Sequence, residues 1–264
     1  MIKYNLHTHS FYCGHGKGTM EEYARAGFEN GLEILGFSEH LPFPDGRLSS
    51  SRMDYSEKKD YERDVLVEKE RYEGKMKVCL SWECDYFPDM DGYYQQLKEE
   101  TDYLIVGTHF LQKDGGYQSL FSSKYKLTKE DLKCYADSTI KAISSGYFDF
   151  LAHPDVFFLN YENFDSEAKA VSTAILDAAE DVGIPIEANG NGLVRPSRFP
   201  RPGYPLLEFW QLARERKITF VRNTDAHVVE NLTKSIPMLD EFASRVGIKY
   251  AYPVSLNPLV FKTE

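Results

Sequence analysis

Short apolar runs alternate along the chain with longer segments whose apolar residues recur at helical spacing. Such runs are typical of buried strands, and the segments between them are typical of amphipathic helices. Strands that alternate with helices predict an α/β fold with a parallel sheet, and about seven repeats with no change of pattern halfway favour a barrel over an open sheet. The predicted strands are residues 2–6, 34–37, 78–82, 103–106, 148–151, 184–186 and 218–221. The predicted helices are residues 19–30, 56–73, 93–99, 128–144, 166–181, 205–216 and 239–245.

The length and composition are those of an ordinary globular enzyme. The chain has 264 residues, enough to bury a large core, and we predict a single domain over residues 1–264. No apolar stretch approaches the roughly 20 residues that a membrane-spanning helix needs, so we expect no membrane association. The first five residues, Met-Ile-Lys-Tyr-Asn, already include polar side chains, whereas a secretory signal has an apolar centre. We therefore predict that the protein is cytoplasmic. Four irregularly spaced cysteines fit reduced thiols better than a disulfide framework.

The charge of the chain narrows the class of partner. A net charge of -10 argues against a protein that wraps nucleic acid, because binding to the phosphate backbone needs a basic surface. A small anionic substrate would need local positive charge, either from metal ions or from a few placed arginines. The oligomeric state is left open by the sequence.

The seven histidines are the strongest functional signal, because each follows a predicted strand or lies in the loop that begins there. His7 and His9 follow the first strand, and side chains two residues apart in extended backbone project to the same side. The third strand is followed by Glu83, and the last by Asp225 and His227, again two residues apart. In parallel α/β folds the carboxyl ends of the strands gather reactive groups, so we expect these side chains to converge. The other histidines at strand exits are His15, His40, His109 and His153.

Imidazole and carboxylate are the usual ligands of zinc, iron and manganese, and this number of them exceeds what one ion can use. We therefore predict a site for two or three divalent ions, with zinc as the first choice and iron or manganese as alternatives. Glu83 is the best candidate for a carboxylate that bridges two ions. A single histidine near a strand end is more often a satisfied polar residue than a ligand, but that interpretation has to hold independently for all seven histidines.

Five short motifs resemble those of the PHP superfamily, named for polymerase and histidinol phosphatase. The sequence at residues 36–42, Gly-Phe-Ser-Glu-His-Leu-Pro, is similar to the histidinol-phosphate phosphatase branch of that superfamily. The resemblance covers nearly the whole chain and implies a distorted (β/α)7 barrel of the TIM type, with the metal cluster at the C-terminal ends of the strands. The motifs are His-x-His at 7–9, Gly-Phe-Ser-Glu-His at 36–40, Gly-Thr-His at 107–109, Ala-His-Pro-Asp at 152–155 and Asp-x-His at 225–227.

The resemblance also implies how the ligands divide among three metal sites. One ion would bind His7, His9, Glu83 and Asp225. A second ion would share Glu83 and add His109 and His153. A third ion would bind His15, His40 and His227.

The residues and the resemblance together predict a phosphomonoesterase that converts L-histidinol phosphate to L-histidinol and phosphate in histidine biosynthesis. Hydrolysis would proceed by attack of a hydroxide that bridges two metal ions sharing Glu83, and Asp225 or His227 would assist the leaving alkoxide. Arg195 and Arg198, in the loop after the sixth strand, are candidate phosphate-binding residues because a guanidinium group matches two phosphate oxygens. Arginines beside prolines are, however, also common in surface loops.

Three other functions compete with this hypothesis. A phosphodiesterase or exonuclease of the same superfamily would use the same metals on a nucleotide or nucleic acid, although the acidic charge disfavours a polymeric substrate. A protein-tyrosine phosphatase of the superfamily would cleave an aryl ester. A non-catalytic metal-binding protein is the alternative of a different class, and a closed cluster with no open coordination position would favour it.

Overall fold

The structure, a computed structural model, describes residues 3–113 and 115–263. These residues form eleven strands and nine α-helices. The strands are β1 (Tyr4–Asn5), β2 (Ile34–His40), β3 (Lys77–Cys84), β4 (Tyr103–Val106), β5 (Phe110–Lys113), β6 (Gly116–Ser119), β7 (Phe150–Leu151), β8 (Ile186–Asn189), β9 (Phe220–Asn223), β10 (Tyr252–Leu256) and β11 (Leu259–Lys262). The helices are α1 (Met20–Glu29), α2 (Lys58–Arg71), α3 (Asp91–Glu100), α4 (Lys129–Ser144), α5 (Ser166–Val182), α6 (Asn191–Val194), α7 (Leu207–Ala213), α8 (Asn231–Lys234) and α9 (Ile236–Val246).

A seven-stranded parallel sheet forms the centre of the fold, in the order β1-β2-β3-β4-β7-β8-β9. Each of its strands overlaps one of the seven predicted strands, except that residue 2 of the first lies outside the described residues. The sheet curves into a nearly closed, distorted barrel, and the helices that connect its strands pack outside it. The predicted (β/α)7 barrel of the TIM type is therefore confirmed.

The first and last strands of the barrel meet through side chains as well as backbone. Leu6 N donates to Asn223 Oδ1 at 2.7 Å, and Thr224 N donates to Asn5 Oδ1 at 2.7 Å. Further along, His9 N donates to the carbonyl of residue 226 at 2.9 Å. The two asparagines thus replace ladder hydrogen bonds at the seam, and they bring the residues after β1 next to the residues after β9.

The interior of the barrel is apolar towards the amino ends of its strands. The β10–β11 hairpin packs against this interior, and Tyr4 Oη donates to the carbonyl of Ala251 just before the hairpin at 2.6 Å. Tyr103 crosses the barrel and donates to the carbonyl of Leu6 at 2.6 Å. This crossing needs Gly36, because a Cβ there would lie 1.7 Å from the Tyr103 oxygen. The buried members of this cluster are Tyr4, Leu6, Ile34, Cys79, Tyr103, Ile105, Phe150, Val221 and Leu256.

A larger apolar core lies between the sheet and the surrounding helices. Trp82 on β3 packs against Tyr61 of α2 with ring centroids 4.4 Å apart. All four cysteines are free thiols, as predicted. In the described part of the chain, none of the helices combines the length and apolarity needed to cross a membrane.

Two hairpins and two short helices were not predicted. The short strands of the β5–β6 hairpin contain polar residues and lack the apolar run that marks a buried strand. The β10–β11 hairpin is mostly apolar, but it follows the last helix and lies outside the alternation of strands and helices. Helices α6 and α8 have four residues each, too few for a helical period to show in the sequence. Helix α9 begins at Ile236, three residues earlier than predicted.

Candidate metal centre

All nine predicted ligands meet at the carboxyl ends of the barrel strands. His40 is the last residue of β2 and Glu83 the penultimate residue of β3, so two strands carry ligands directly. The other ligands lie in the loops that follow β1, β4, β7 and β9. Seven of the nine residues are buried, His227 is partly exposed, and His15 is exposed. The parallel arrangement of the strands therefore produces the convergence that the sequence predicted.

Glu83 lies at the centre of the cluster, and its two oxygens face different groups of imidazoles. Oε1 lies 2.8 Å from His153 Nε2 and 3.0 Å from His109 Nε2, with His7 Nε2 at 3.3 Å. Oε2 lies 2.9 Å from His40 Nδ1 and 3.3 Å from His9 Nε2. A carboxylate that presents one oxygen to each of two ligand groups has the arrangement needed to bridge two ions.

Asp225 forms a second acidic point of the cluster. Its Oδ1 lies 3.2 Å from His9 Nε2, 3.5 Å from His7 Nε2 and 3.4 Å from His227 Nδ1. Its Oδ2 accepts from the side-chain amides of Asn189 at 3.1 Å and Asn191 at 3.3 Å. The amides hold the carboxylate so that the other oxygen faces the histidines.

His15 lies at the outer edge of the cluster. Its ring centroid is 4.9 Å from that of His227 and 5.4 Å from that of His40, so the three residues of the predicted third site are neighbours. The nitrogens closest to one another nevertheless combine differently: His40 and His227 group with His9, and His15 groups with His227 and the Cys13 thiol. His15 Nδ1 donates to the Cys13 carbonyl at 2.8 Å, which leaves Nε2 as the free nitrogen.

Behind the ligands lie three buried carboxylates that were not predicted as site residues. Glu187 on β8 lies 2.9 Å from His7 Nδ1, and its other oxygen accepts from the backbone N–H of His153 at 3.2 Å. Asp85 lies 3.2 Å from His109 Nδ1, and Glu39 lies 3.5 Å from His9 Nδ1. A carboxylate on one ring nitrogen fixes the tautomer and directs the other nitrogen to a metal. The signal in the sequence was an acidic residue inside or just after a buried apolar strand, which is rare without a partner.

The acids and imidazoles shift each other's protonation. Burial raises the pKa of Glu83, yet the charges of His109 and His7 outweigh burial and hold that pKa well below its usual range. Burial lowers the pKa of His109, yet Glu83 and Asp85 raise it to about 10. For His227 burial prevails and lowers the pKa to about 3. The carboxylate of Glu83 and the imidazole of His227 are therefore in the protonation states that bind divalent cations, whereas an ion bound at His109 has to displace a proton.

Several buried polar atoms of the cluster make no hydrogen bond. Glu83 Oε2, His40 Nδ1 and Asp225 Oδ1 each lack a hydrogen bond, although Glu83 Oε2 and His40 Nδ1 are 2.9 Å apart. Leaving a buried polar group unpaired costs about 1–3 kcal/mol, so several such atoms around one point need a common partner. Divalent ions fit that requirement, because each of these atoms is an electron-pair donor.

The backbone also keeps space open at the centre. A Cβ at Gly107 would lie 2.6 Å from His153 Cε1, 2.9 Å from His109 Cε1 and 3.0 Å from Glu83 Oε1. His153 and Asp225 themselves have left-handed backbone angles, φ 30° and 48°. Such angles are costly in residues other than glycine and recur where a side chain must be aimed at a functional site. The residues present therefore fit a metal cluster.

The cluster forms the floor of a cavity of about 440 Å³. Arg195, one of the two arginines predicted to bind phosphate, lines this cavity and lies over the Phe121 ring at 4.9 Å. Arg198 instead donates to the carbonyl of Tyr125 and to Asn160 Oδ1, both at 3.1 Å. Arg52 also lines the cavity and was not predicted. Arg52 lies in the turn-rich loop after β2, and the sequence of an irregular loop has no periodic pattern from which the position of a side chain could be predicted.

Known proteins with similar sequences or folds match this chain over most of its length. The profile of the PHP domain matches residues 5–191. The chain is 28% identical over 227 residues to a Deinococcus radiodurans protein named probable histidinol-phosphatase, covering 84% of this chain and 85% of that protein. It is 24% identical over 259 residues to the histidinol-phosphatase of Bacillus subtilis, covering 86% and 94%. Its fold matches the histidinol phosphate phosphatase of Lactococcus lactis, solved with zinc, L-histidinol and phosphate, with a TM-score of 0.72, 16% identity, and coverage of 94% of this chain and 95% of that one.

Proposed function

The chain belongs to the PHP domain family, and from that premise we propose that it is a metal-dependent phosphomonoesterase that hydrolyses L-histidinol phosphate to L-histidinol and phosphate. Its main support is the arrangement around Glu83, whose two oxygens face separate groups of imidazoles at the floor of a cavity. The names of the two curated relatives support the choice of substrate. A cytoplasmic location and a place in histidine biosynthesis belong to the same proposal.

The proposed metal ligands are the nine converging side chains, with Glu83 shared between two ions. When bound, divalent ions supply Lewis-acid polarisation of phosphoryl oxygens and make water nucleophilic near neutral pH. We prefer zinc because the histidine-rich ligand set suits it, and because zinc is present in the structure of the Lactococcus lactis phosphatase. The proposed ligands are His7, His9, His15, His40, Glu83, His109, His153, Asp225 and His227.

Asp225 is the proposed carrier of the proton that the attacking water must lose. Burial raises the pKa of Asp225, but His7 and its neighbours outweigh burial and hold that pKa well below its usual range, so the carboxylate is ionised. The low pKa makes this carboxylate a weak base, so it can hold the proton of the attacking water only briefly before passing it to the leaving alkoxide of L-histidinol, a much stronger base. His227 Nδ1 donates to the carbonyl of Asp225 at 3.0 Å, which fixes the ring and leaves Nε2 as an electron-pair donor.

The cavity wall offers groups that suit the rest of the substrate. Arg195 can present two parallel N–H groups to phosphoryl oxygens, the geometry in which guanidinium binds phosphate best. Phe110 and Phe121 line the same cavity and give the imidazole of L-histidinol phosphate an apolar, aromatic surface. Binding of phosphate by Arg198 stays a prediction, because this guanidinium holds two loop oxygens.

Phosphate release from four esters tests the assignment. The substrates are L-histidinol phosphate, p-nitrophenyl phosphate, a nucleoside monophosphate and bis-p-nitrophenyl phosphate, with metal content measured on the same sample. We expect kcat/KM for L-histidinol phosphate to exceed the others by at least about tenfold, equivalent to 1.4 kcal/mol of transition-state stabilisation. A preference for the diester would indicate a phosphodiesterase, and a preference for the aryl monoester would indicate a tyrosine-phosphatase type of substrate. Hydrolysis of none of the four by metal-loaded protein would refute the proposal.

A further inference from the structure

Arg52 is a buried arginine at the edge of the metal centre. Its side chain is only 1% exposed, although it lines the cavity. One terminal nitrogen, Nη1, donates to the carbonyl of Leu41 at 2.8 Å, and the other, Nη2, donates to Asp85 Oδ2 at 2.9 Å. A guanidinium group buried in this way is held by fixed partners, so its position is determined by the two segments that it joins.

The first contact of Arg52, with Asp85, connects it to His109. Asp85 accepts from the backbone N–H of His109 at 2.9 Å through Oδ1 and lies 3.2 Å from its Nδ1 through Oδ2, the oxygen that Arg52 also contacts. Asp85 therefore holds the proton on Nδ1, and Nε2, 3.0 Å from Glu83 Oε1, is the nitrogen at which an ion would displace a proton. Arg52 and the backbone N–H of His109 together fix the Asp85 carboxylate in the orientation that this tautomer requires.

The second contact of Arg52, with the carbonyl of Leu41, connects it to His40. Leu41, whose carbonyl accepts from Arg52, directly follows His40, and Leu41 N donates to the carbonyl of Glu83 at 2.8 Å. The His40 ring then places Nδ1 2.9 Å from Glu83 Oε2. One side chain thus holds the backbone beside His40 and the carboxylate behind His109.

We propose that Arg52 is a positioning residue for His40 and His109, two predicted metal ligands that face opposite oxygens of Glu83. The ligand atoms of His40, Glu83 and His109 all lie within 4.8 Å of one another, and both connections made by Arg52 end on members of this group. The inference rests on the metal-binding part of the proposed function and not on the identity of the substrate. Arg52 acts through Asp85 and Leu41, so its loss weakens zinc bound at His40 and His109 more than zinc bound at His7, His9 and Asp225.

The test compares Arg52→Lys with Arg47→Lys. Lysine keeps the positive charge beside Asp85, so the fold is retained, but a single ammonium group cannot reproduce the planar fork that spans Leu41 O and Asp85. Arg47 is a matched control, because it lies in the same loop, packs on Phe43 as Arg52 does and pairs with two carboxylates, Asp45 and Asp89, that are not members of the predicted ligand cluster.

The primary measurement is zinc retained per chain after dialysis against increasing concentrations of dipicolinate. In Arg52→Lys we expect the most weakly held zinc to be lost at a dipicolinate concentration roughly 10- to 100-fold lower than in the native protein. This is the usual effect of changing a residue that supports a metal ligand. The other ions and the Arg47→Lys variant should follow the native curve. Identical curves for Arg52→Lys and the native protein would overturn the inference, as would an equal weakening of all ions.

A second variant separates positioning from general stability. In Arg52→Ala, added guanidinium ion should restore zinc retention, because it can occupy the space between Leu41 O and Asp85, whereas added methylammonium should not. Equal rescue by both ions would show that only charge matters and would overturn the positioning role. If Arg52→Ala does not fold, the lysine variant decides alone.

The outcomes are distinguishable from those that test the proposed function. Zinc retention is measured without substrate, so native protein that binds zinc but hydrolyses no phosphomonoester refutes the proposed function and leaves the role of Arg52 standing. Native protein that hydrolyses L-histidinol phosphate, with Arg52 variants that retain zinc like the native protein, refutes the role of Arg52 alone.

Discussion

The two ends of the barrel are built from the same strands but differ in how they treat buried polar atoms. At the amino ends, Tyr4 and Tyr103 bury their rings among apolar residues, and each hydroxyl donates to a backbone carbonyl. At the carboxyl ends, Glu83 and Asp225 are as deeply buried, yet each has an oxygen without a hydrogen bond. The change from one environment to the other takes a single residue, because Leu6 belongs to the apolar interior and His7 belongs to the predicted ligand cluster.

This difference separates stability from function within one sheet. Satisfied polar groups and apolar packing stabilise the folded state, whereas buried unpaired groups reduce its stability unless a ligand completes them. We therefore expect substitutions at the carboxyl end to affect metal binding and turnover more than folding. Substitutions at the amino end should have the opposite effect.

The largest effect is expected from Glu83→Gln at the carboxyl end. The amide removes the charge that Glu83 presents to two groups of imidazoles, so we expect kcat/KM for L-histidinol phosphate to fall by about 10³-fold, the upper end of the range for loss of a single electrostatic group. Circular dichroism and the thermal midpoint of metal-free protein should match the native values. Native-like turnover in fully metal-stripped Glu83→Gln would refute the metal mechanism.

The next largest effect is expected from Phe150→Ala at the amino end, and it is a loss of stability instead of a loss of activity. The Phe150 ring is fully buried and contacts Tyr103 and Phe261, with ring centroids 6.2 Å apart in both cases. Truncation should lower the free energy of unfolding by about 3–5 kcal/mol, measured by denaturant titration, because it leaves a cavity. Zinc content and kcat of the folded fraction should be unchanged. The exposed Phe28 on α1 is the matched control, and a comparable loss in Phe28→Ala would show that burial is not the cause.

A smaller effect is expected from Glu187→Gln, one layer behind the ligands. Glu187 lies 2.9 Å from His7 Nδ1 and also accepts from Asn189 and Asn223, at 2.8 and 2.9 Å. Its amide would bind the His7 proton more weakly, and we expect zinc affinity or kcat to fall by roughly 10- to 100-fold. Glu68→Gln is the control, because Glu68 is a buried glutamate paired with an arginine away from the cluster. Equal effects of the two substitutions would contradict a role for Glu187 in orienting His7.

The contrast between the two ends also bears on what the sequence could predict. Strand exits such as the one before His153 were predicted because a buried strand has an apolar run, and a histidine directly after that run stands out from it. Glu187 was missed because it lies within β8 and contacts a ligand from a strand far away in sequence. Arg52 was missed because its role depends on a loop conformation that brings it to Asp85, a contact over 33 residues of sequence.

The folding pattern was predicted with similar limits. Apolar period and length specify the strands of the barrel, but the register across β1 and β9 depends on Asn5 and Asn223, whose side-chain contacts span more than 200 residues and leave no local pattern. The β5–β6 hairpin has no apolar run, and the β10–β11 hairpin follows the last helix, outside the alternation of strands and helices. The single-domain organisation over residues 1–264 and the individual ligand roles stay predictions.

Asp155 sharpens the comparison, because it is a buried carboxylate at the carboxyl end that lacks the imidazole partners of Glu83. It accepts from the backbone N–H of Leu206 at 2.6 Å and from Trp210 Nε1 at 3.2 Å. Burial prevails over these bonds and raises its pKa to about 7, whereas imidazoles lower the pKa of Glu83. The same end of the barrel thus holds a carboxyl group that favours its neutral form.

The smallest expected effect follows from that shift. Between about pH 4 and pH 7 Asp155 is protonated in the folded state and ionised in the unfolded state, so raising the pH favours unfolding. The amide introduced by Asp155→Asn does not titrate, and we expect this variant to gain at least about 1 kcal/mol in free energy of unfolding relative to the native protein as the pH rises through this window. Denaturant unfolding of both proteins at several pH values, with the same zinc concentration, measures the difference. Parallel stability curves would mean that Asp155 is ionised in the folded protein, and that hydrogen bonds from Leu206 and Trp210 can replace imidazoles in holding a buried charge.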